Sequence, residues 1–183
     1  MRNGSASSGK TWKQFVQRPS LRVRPSKTPQ RRPSVIKRPR HRVVLDTNVI
    51  IAALKSKSPQ SPTLELLRRW RHREFDLLYC DALREEYVEK LLEKGVTPVR
   101  SASFLADLDT LGIRVPLAPE DILPRIPADP DDDVVIACAV VGQATYLVTY
   151  DPHFEVLGGE CQSVRIVNAL ELLRKSRKVK DSQ

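Results

Sequence analysis

From Arg42 onward the apolar positions fall alternately into short solid runs and helical stripes. Val43, Val44 and Leu45 form a run that stops at Asp46, Thr47 and Asn48, as a buried strand does on meeting a polar turn. Val49 to Leu54 continue as an apolar helical segment, Lys55 to Pro62 read as a loop, and Thr63 to Arg73 space Leu64, Leu66, Leu67 and Trp70 as an amphipathic helix. Phe75 to Cys80 is a second predicted strand. Asp81 opens a helix with Leu83, Tyr87, Val88, Leu91 and Leu92 on one side, which Lys94 and Gly95 end.

Further on, a helix is expected at about 98–111, a short strand at 113–117 and a proline-rich loop at 118–130. Residues 131–141 (DDDVVIACAVV) are too apolar after their acidic start for a surface helix and should be packed on both sides. Thr145 to Val148 and Val164 to Val167 are the last strands, and Asn168 caps a closing helix. Strands alternating with helices predict an α/β fold, a central parallel sheet between two helical layers.

Charge divides the chain differently. Residues 1–42 hold 13 Lys and Arg, no Asp or Glu, and five prolines, whereas residues 43–183 hold 18 basic and 22 acidic residues. The overall charge of +9 therefore belongs to the first segment. Residues 1–42 are expected to be a disordered basic tail, 43–173 the folded domain, and 174–183 a basic C-terminal tail. The first tail reads either as an electrostatic arm for phosphate polymers or as a solubilising extension. Its prolines oppose the amphipathic helix of an organelle transit peptide. No apolar stretch approaches the roughly 18 residues of a membrane span. Three cysteines, at 80, 138 and 161, form neither a C-x-x-C pair nor an even framework. A cytoplasmic, reducing location without a membrane partner is the expectation.

In a doubly wound sheet, ligands bind at the strand C-termini. Two predicted strands end there in aspartates, Asp46 and Asp151, and Asp133 begins the buried helix in line with Ile136, Ala137 and Val140. Each has a plainer reading: Asp46 as a turn former or cap, Asp151 before Pro152 as a turn. Asp129, Pro130, Asp131 and Asp132 look like cap and first-turn residues. On the helix from Asp81, Glu89 points away from the apolar stripe while Glu85 and Glu86 border it, and the spacing does not choose between them. Two carboxylates about 4 Å apart repel by roughly 4 kcal/mol at an effective dielectric near 20, so a convergent group must take up protons or cations. Oxygen ligands favour magnesium or manganese over zinc. His153 alone beside a proline turn reads as a surface residue.

These segments resemble PIN-domain ribonucleases, in particular the VapC-like toxin branch of toxin–antitoxin pairs. The resemblance is carried by VVLDTNVIIAAL (43–54), LREEYVEKL (83–91), DPDDDVVIACAVVGQATYLVTYDPHF (129–154) and VRIVNALELL (164–173). It implies a PIN-like fold in which Asp46, Glu86, Asp133 and Asp151 are the acidic metal ligands. Asn48 and Thr149 match the polar residues that orient them, and Asp131 is an accessory acid. It favours Glu86 over Glu85, because the family's acid directly precedes an aromatic residue. Tyr150 and Pro152 stand where many relatives carry basic or small polar residues. The activity implied is hydrolysis of single-stranded RNA assisted by one or two Mg²⁺ or Mn²⁺ ions. A cognate antitoxin and a homodimer are the implied partners. Arg68, Arg69, Arg71, Arg73 and the charged termini are candidates to hold the RNA. The competing readings are a non-catalytic nucleic-acid or partner-binding module and a magnesium-dependent phosphatase; the latter needs a second acid where Asn48 stands.

Overall fold

Buried β-strands form where short apolar runs are flanked by turn residues, and helices cover them. The computed structural model describes residues 40–181, and side chains as far as residue 176. The expected disordered tail lies, up to residue 39, outside the described residues, and Arg42 already belongs to the first strand. The elements are β1 (Arg42–Leu45), α1 (Thr47–Lys55), α2 (Pro62–Arg71), β2 (Asp76–Tyr79), α3 (Asp81–Glu93), α4 (Pro98–Leu111) and β3 (Ile113–Arg114), followed by α5 (Asp132–Val141), β4 (Tyr146–Val148), β5 (Glu160–Cys161), β6 (Val164–Val167) and α6 (Ala169–Asp181). The segment expected as a basic C-terminal tail continues α6 as far as Asp181.

The sheet order is β3-β2-β1-β4-β6-β5. All neighbouring pairs are parallel except β5 with β6, so the sheet is mostly rather than wholly parallel. That antiparallel hairpin was not expected. Its ladder is two residue pairs long and turns through Gln162 and Ser163, while Gly158 and Gly159, whose φ angles of 63° and 85° lie in the left-handed region glycine favours, lead the chain into β5. The strand expected at 113–117 is cut to Ile113 and Arg114, and Pro116 soon afterwards has no N–H to extend a ladder.

β1 lies at the centre, with β2 on one side and β4 on the other, pairing Val44 with Leu78 and Leu147. The order reverses here, which opens a crevice at the C-terminal ends of β1 and β4. Helices flank the sheet, giving the α/β architecture expected. α5 packs across β1, β2 and β4 with Val135, Ile136, Ala137, Cys138 and Ala139 all buried, so it is enclosed on both sides. Gly142 closes it, because a Cβ there would lie 2.6 Å from the Cys138 carbonyl and 2.7 Å from Leu78 Cδ1. Within the same core Trp70, Phe104 and Tyr87 stack edge to face, with ring centroids 6.0 and 5.6 Å apart. The buried Tyr87 hydroxyl donates to the Leu45 carbonyl, tying α3 to the end of β1. Among the described residues no helix is long and apolar enough to cross a membrane.

Candidate metal centre

The register Leu45 to Val148 brings Asp46 and Thr149 side by side just beyond the paired strands. The backbone N–H of Asp46 reaches the Val148 carbonyl at 2.9 Å, and that of Thr149 reaches Val167 at 3.1 Å. Asp46 stands at the N-cap position of α1, but its side chain does not cap. Its Oδ2 instead accepts from the Thr149 hydroxyl and from Asn48 Nδ2 at 2.8 Å. Asn48 also orders the next residues: its Nδ2 lies 3.4 Å from Thr149 Oγ1, and its Oδ1 accepts from the Tyr150 N–H at 3.4 Å. Both side-chain bonds to Asp46 fall on Oδ2.

Asp46 is only 5% exposed. Burial pushes its carboxyl above the usual range, the Thr149 hydroxyl and nearby backbone N–H groups pull it down, and Asp151 pushes it up again. Glu86 is half-buried, whereas Glu85 is exposed. The Glu86 carboxyl is likewise raised, first by burial and then by the charges of Asp46 and Asp131. Facing it is the buried hydroxyl of Thr47, which falls short of a well-formed hydrogen bond. Tyr87 explains the choice of neighbour, since its anchor on Leu45 turns the preceding residue toward Asp46.

Asp151 caps the 3₁₀ helix Pro152–Leu157 by accepting the His153 N–H at 2.9 Å, and its own N–H is held by Thr149 Oγ1 at 2.8 Å. His153 Nδ1 then lies 3.4 Å from Asp151 Oδ1 and 3.2 Å from Asp132 Oδ2. Burial raises the Asp132 carboxyl to about 6, with Asp46, Asp151 and Asp129 adding and the bond to His153 opposing. Ligand atoms of Asp129, Asp132 and His153 all lie within 4.8 Å of one another. The four acids singled out from sequence, Asp46, Glu86, Asp133 and Asp151, form no such tight group among the described residues.

Asp133 has partners of its own. It is buried, as its alignment with the apolar stripe requires, but its Oδ1 accepts the backbone N–H groups of Arg125 at 2.8 Å and Ile126 at 2.9 Å. Its partner is therefore the preceding loop. Asp132, one residue earlier and about 100° around the helix, is the α5 acid that meets the charges of Asp46 and Asp151. Asp131 is exposed, makes no side-chain cap, and its charge bears on Glu86. Asp129 Oδ1 accepts the Asp131 N–H at 3.0 Å, a local turn of the kind its position suggested. Sequence reasoning set aside Asp132 and Asp129 as first-turn residues and His153 as a surface residue. The available signals were the position of Asp132 off the buried stripe and the two-residue spacing from Asp151 to His153.

The arginines expected to hold a strand lie elsewhere. α2 leads into the start of β2, at the opposite end of the sheet from the crevice. There Arg69 pairs with Glu65 at 2.9 Å, Arg71 pairs with Asp107 at 2.7 Å, and Arg73 donates to the Leu111 carbonyl at 2.8 Å.

A family model described as PIN domain matches residues 42–153, and the chain belongs to that family. Its solved structural relatives include VapBC2 from Rickettsia felis bound to a DNA fragment from its promoter, with a TM-score of 0.50 and 12% identity over 70% of this chain and 98% of that one. VapC20 of Mycobacterium tuberculosis, a sarcin-ricin loop cleaving toxin, is similar with a TM-score of 0.48 and 14% identity over 67% of this chain and 98% of that one. A search of curated proteins finds no match.

Proposed function

We propose that this PIN domain is a divalent-metal-dependent endoribonuclease that hydrolyses phosphodiester bonds of single-stranded RNA. The observation that carries the reading is that Asp46, Glu86, Asp132 and Asp151, from four elements, bear on one another's charge at the topological switch point, beside the close group of Asp129, Asp132 and His153. Three of them have carboxyls pushed upward by burial and mutual repulsion. Such a group gains by taking up a cation, and its donor chemistry fits Mg²⁺ or Mn²⁺. Asp46, Glu86, Asp132 and Asp151 would hold the ion, with Asp129 and His153 beside them and Asp131 near Glu86; Asp133 is assigned to holding the loop. The bound metal would supply an activated water and neutralise charge developing on the phosphate.

The residues of the chain do the positioning. Thr149 and Asn48 fix the orientation of Asp46, and Tyr87 sets the depth of Glu86. The N-termini of α1 and α5 face the crevice and favour negative charge there. No covalent nucleophile is needed. The decisive experiment is cleavage of a mixed RNA pool with Mg²⁺ or Mn²⁺ by the wild type and Asp46→Asn. Cleavage by the wild type alone is expected, and equal cleavage by both would refute the assignment.

Within the same reading the chain is the toxin of a toxin–antitoxin pair, located in the cytoplasm and paired with a small antitoxin. Its support is the run of motifs from DTN through VTYD. Induced expression should arrest growth and a neighbouring-gene product should relieve the arrest; unimpeded growth with active enzyme would remove the toxin role.

A further inference from the structure

Beside Asp151, a cleft of about 510 Å³ is lined by residues from the end of β4, the 3₁₀ helix, the end of β6 and the start of α6. It shares Thr149 and Asp151 with the metal centre, so an RNA strand whose phosphate lies at the acids has a neighbouring nucleotide within reach of it. Tyr150 forms one wall. Its side is 51% exposed, its backbone N–H is held by Asn48 Oδ1 at 3.4 Å, and its hydroxyl lies against the Ala169 backbone N–H at the start of α6. The backbone of Tyr150 is thus held while about half of its side chain stays exposed.

The rim is acidic. Glu155 and Glu171 both border the cleft with Asn168 between them. Asn168 and Glu171 cap α6 reciprocally: Asn168 Oδ1 accepts the Glu171 N–H at 3.0 Å, and Glu171 Oε2 accepts the Asn168 N–H at 3.3 Å. A bare phosphate is repelled by such a rim. A flat heterocycle is not: it stacks on the aromatic face, and an exocyclic amino group donates to the carboxylates. The volume is that of a small-ligand site.

We propose that this cleft is a nucleobase subsite, in which Tyr150 stacks the base next to the scissile phosphate and the Glu155–Glu171 rim selects bases carrying an amino group. The proposal rests on the ribonuclease reading for its biological substrate. Cytosine and uracil separate stacking from selection, because they have nearly the same ring and differ at C4, amino in one and carbonyl in the other, and at N3, an acceptor in cytosine and a single N–H donor in uracil. A carbonyl oxygen facing carboxylates is disfavoured.

The test is an NMR titration of the full chain with the nucleosides cytidine and uridine, following the backbone amide signals of residues lining the cleft, and the Tyr150 ring signals where that ring is present, on the wild type, Tyr150→Phe, Tyr150→Ala and Glu155→Gln. Cytidine should perturb Tyr150 and bind several-fold more tightly than uridine. Tyr150→Phe should retain binding, Tyr150→Ala should weaken it by roughly 5- to 100-fold, and Glu155→Gln should narrow the preference. Equal affinity for the two nucleosides, no binding of either, or unchanged binding in Tyr150→Ala would overturn the proposal. So would loss of a co-purifying protein, rather than of nucleoside, in Tyr150→Ala. Nucleoside binding with the expected preference in a chain that cleaves no RNA would leave the subsite standing and remove the nuclease reading instead.

Discussion

The Thr149 hydroxyl donates to Asp46 Oδ2, joining two side chains 103 positions apart at the ends of adjacent parallel strands. The same Thr149 oxygen accepts the Asp151 N–H at 2.8 Å, so one hydroxyl orients two acids of the crevice. Removing it frees Asp46 to rotate and takes away an interaction that favours its charged form. Thr149→Ala should therefore weaken Mn²⁺ binding by about 10- to 100-fold, and Thr149→Ser should keep it near the wild-type value. Calorimetric titration decides, and equal affinity in all three proteins would count against a positioning role.

Asp132 and Asp133 are neighbours with different surroundings, the first beside His153 and the second bonded to the backbone of Arg125 and Ile126. Asp133→Ala leaves two buried or half-buried N–H groups, those of Ile126 and Arg125, without their acceptor, and should cost about 2–5 kcal/mol of stability. Asp132→Asn should abolish tight cation binding while leaving the metal-free domain as stable as the wild type or more so, because it removes a carboxyl whose charged form is disfavoured. Paired urea denaturation and metal titration of both variants tests the division. Wild-type metal affinity in Asp132→Asn would reverse it.

The raised carboxyls give metal-free protein a definite pH dependence. Asp132 titrates near 6 when folded, above its ordinary 3.8, so the folded state holds a proton that the unfolded state has already lost. Stability should fall as pH rises from about 4 to about 6, and Asp46 and Glu86 act in the same direction. With partial solvation of the crevice, the Asp132 share is on the order of 1 kcal/mol. Asp81 and Asp109, held low by Arg114 and Arg84, lose their contribution at more acid pH, so they do not mask this window. Thermal melts in chelator across that range should show the decline, Asp132→Asn should flatten it, and Mn²⁺ should restore stability at its upper end.

Periodicity and punctuation made most of the frame legible. VVLD followed by polar residues placed β1 and Asp46 together, and the apolar run after Asp133 announced a helix enclosed on both sides. The hairpin of β5 was invisible because two-residue strands leave no alternation to read. Within the crevice, the helical stripe correctly marked Asp133 as buried, but burial does not say which groups satisfy it. Here they are backbone amides of a loop whose path only tertiary structure shows. His153 follows a proline within a 3₁₀ turn, where no period indicates facing, and its approach to Asp132 depends on how β4 and α5 sit across β1.

Tyr87 gives a test of how the core supports the site. Its buried hydroxyl bonds the Leu45 carbonyl, and its ring lies edge to face on Phe104 at 5.6 Å. Tyr87→Phe keeps the ring contact and loses the bond, so it should cost roughly 1 kcal/mol with an unchanged denaturant slope. Tyr87→Ala also empties part of the core and should cost about 3–5 kcal/mol. Equilibrium denaturation of the two separates the hydroxyl from the ring, and an unaltered midpoint in Tyr87→Phe would show that the bond carries no net stability.

His153 brings a nitrogen donor into a site otherwise built of oxygens. Imidazole binds first-row transition ions far better than it binds magnesium, so at the proposed metal centre its place 3.2 Å from Asp132 and 3.4 Å from Asp151 would favour Mn²⁺. Replacement by asparagine retains a polar side chain of similar reach but supplies an oxygen or amide in place of the ring nitrogen. His153→Asn should therefore lose at least several-fold in Mn²⁺ affinity while Mg²⁺ affinity stays nearly constant, narrowing the gap between the two ions. Competition titrations read by the paramagnetic broadening of Mn²⁺ give that gap directly. If both ions weaken together, His153 acts only by holding Asp132 and Asp151 in place, and if neither changes, the imidazole does not reach the ion.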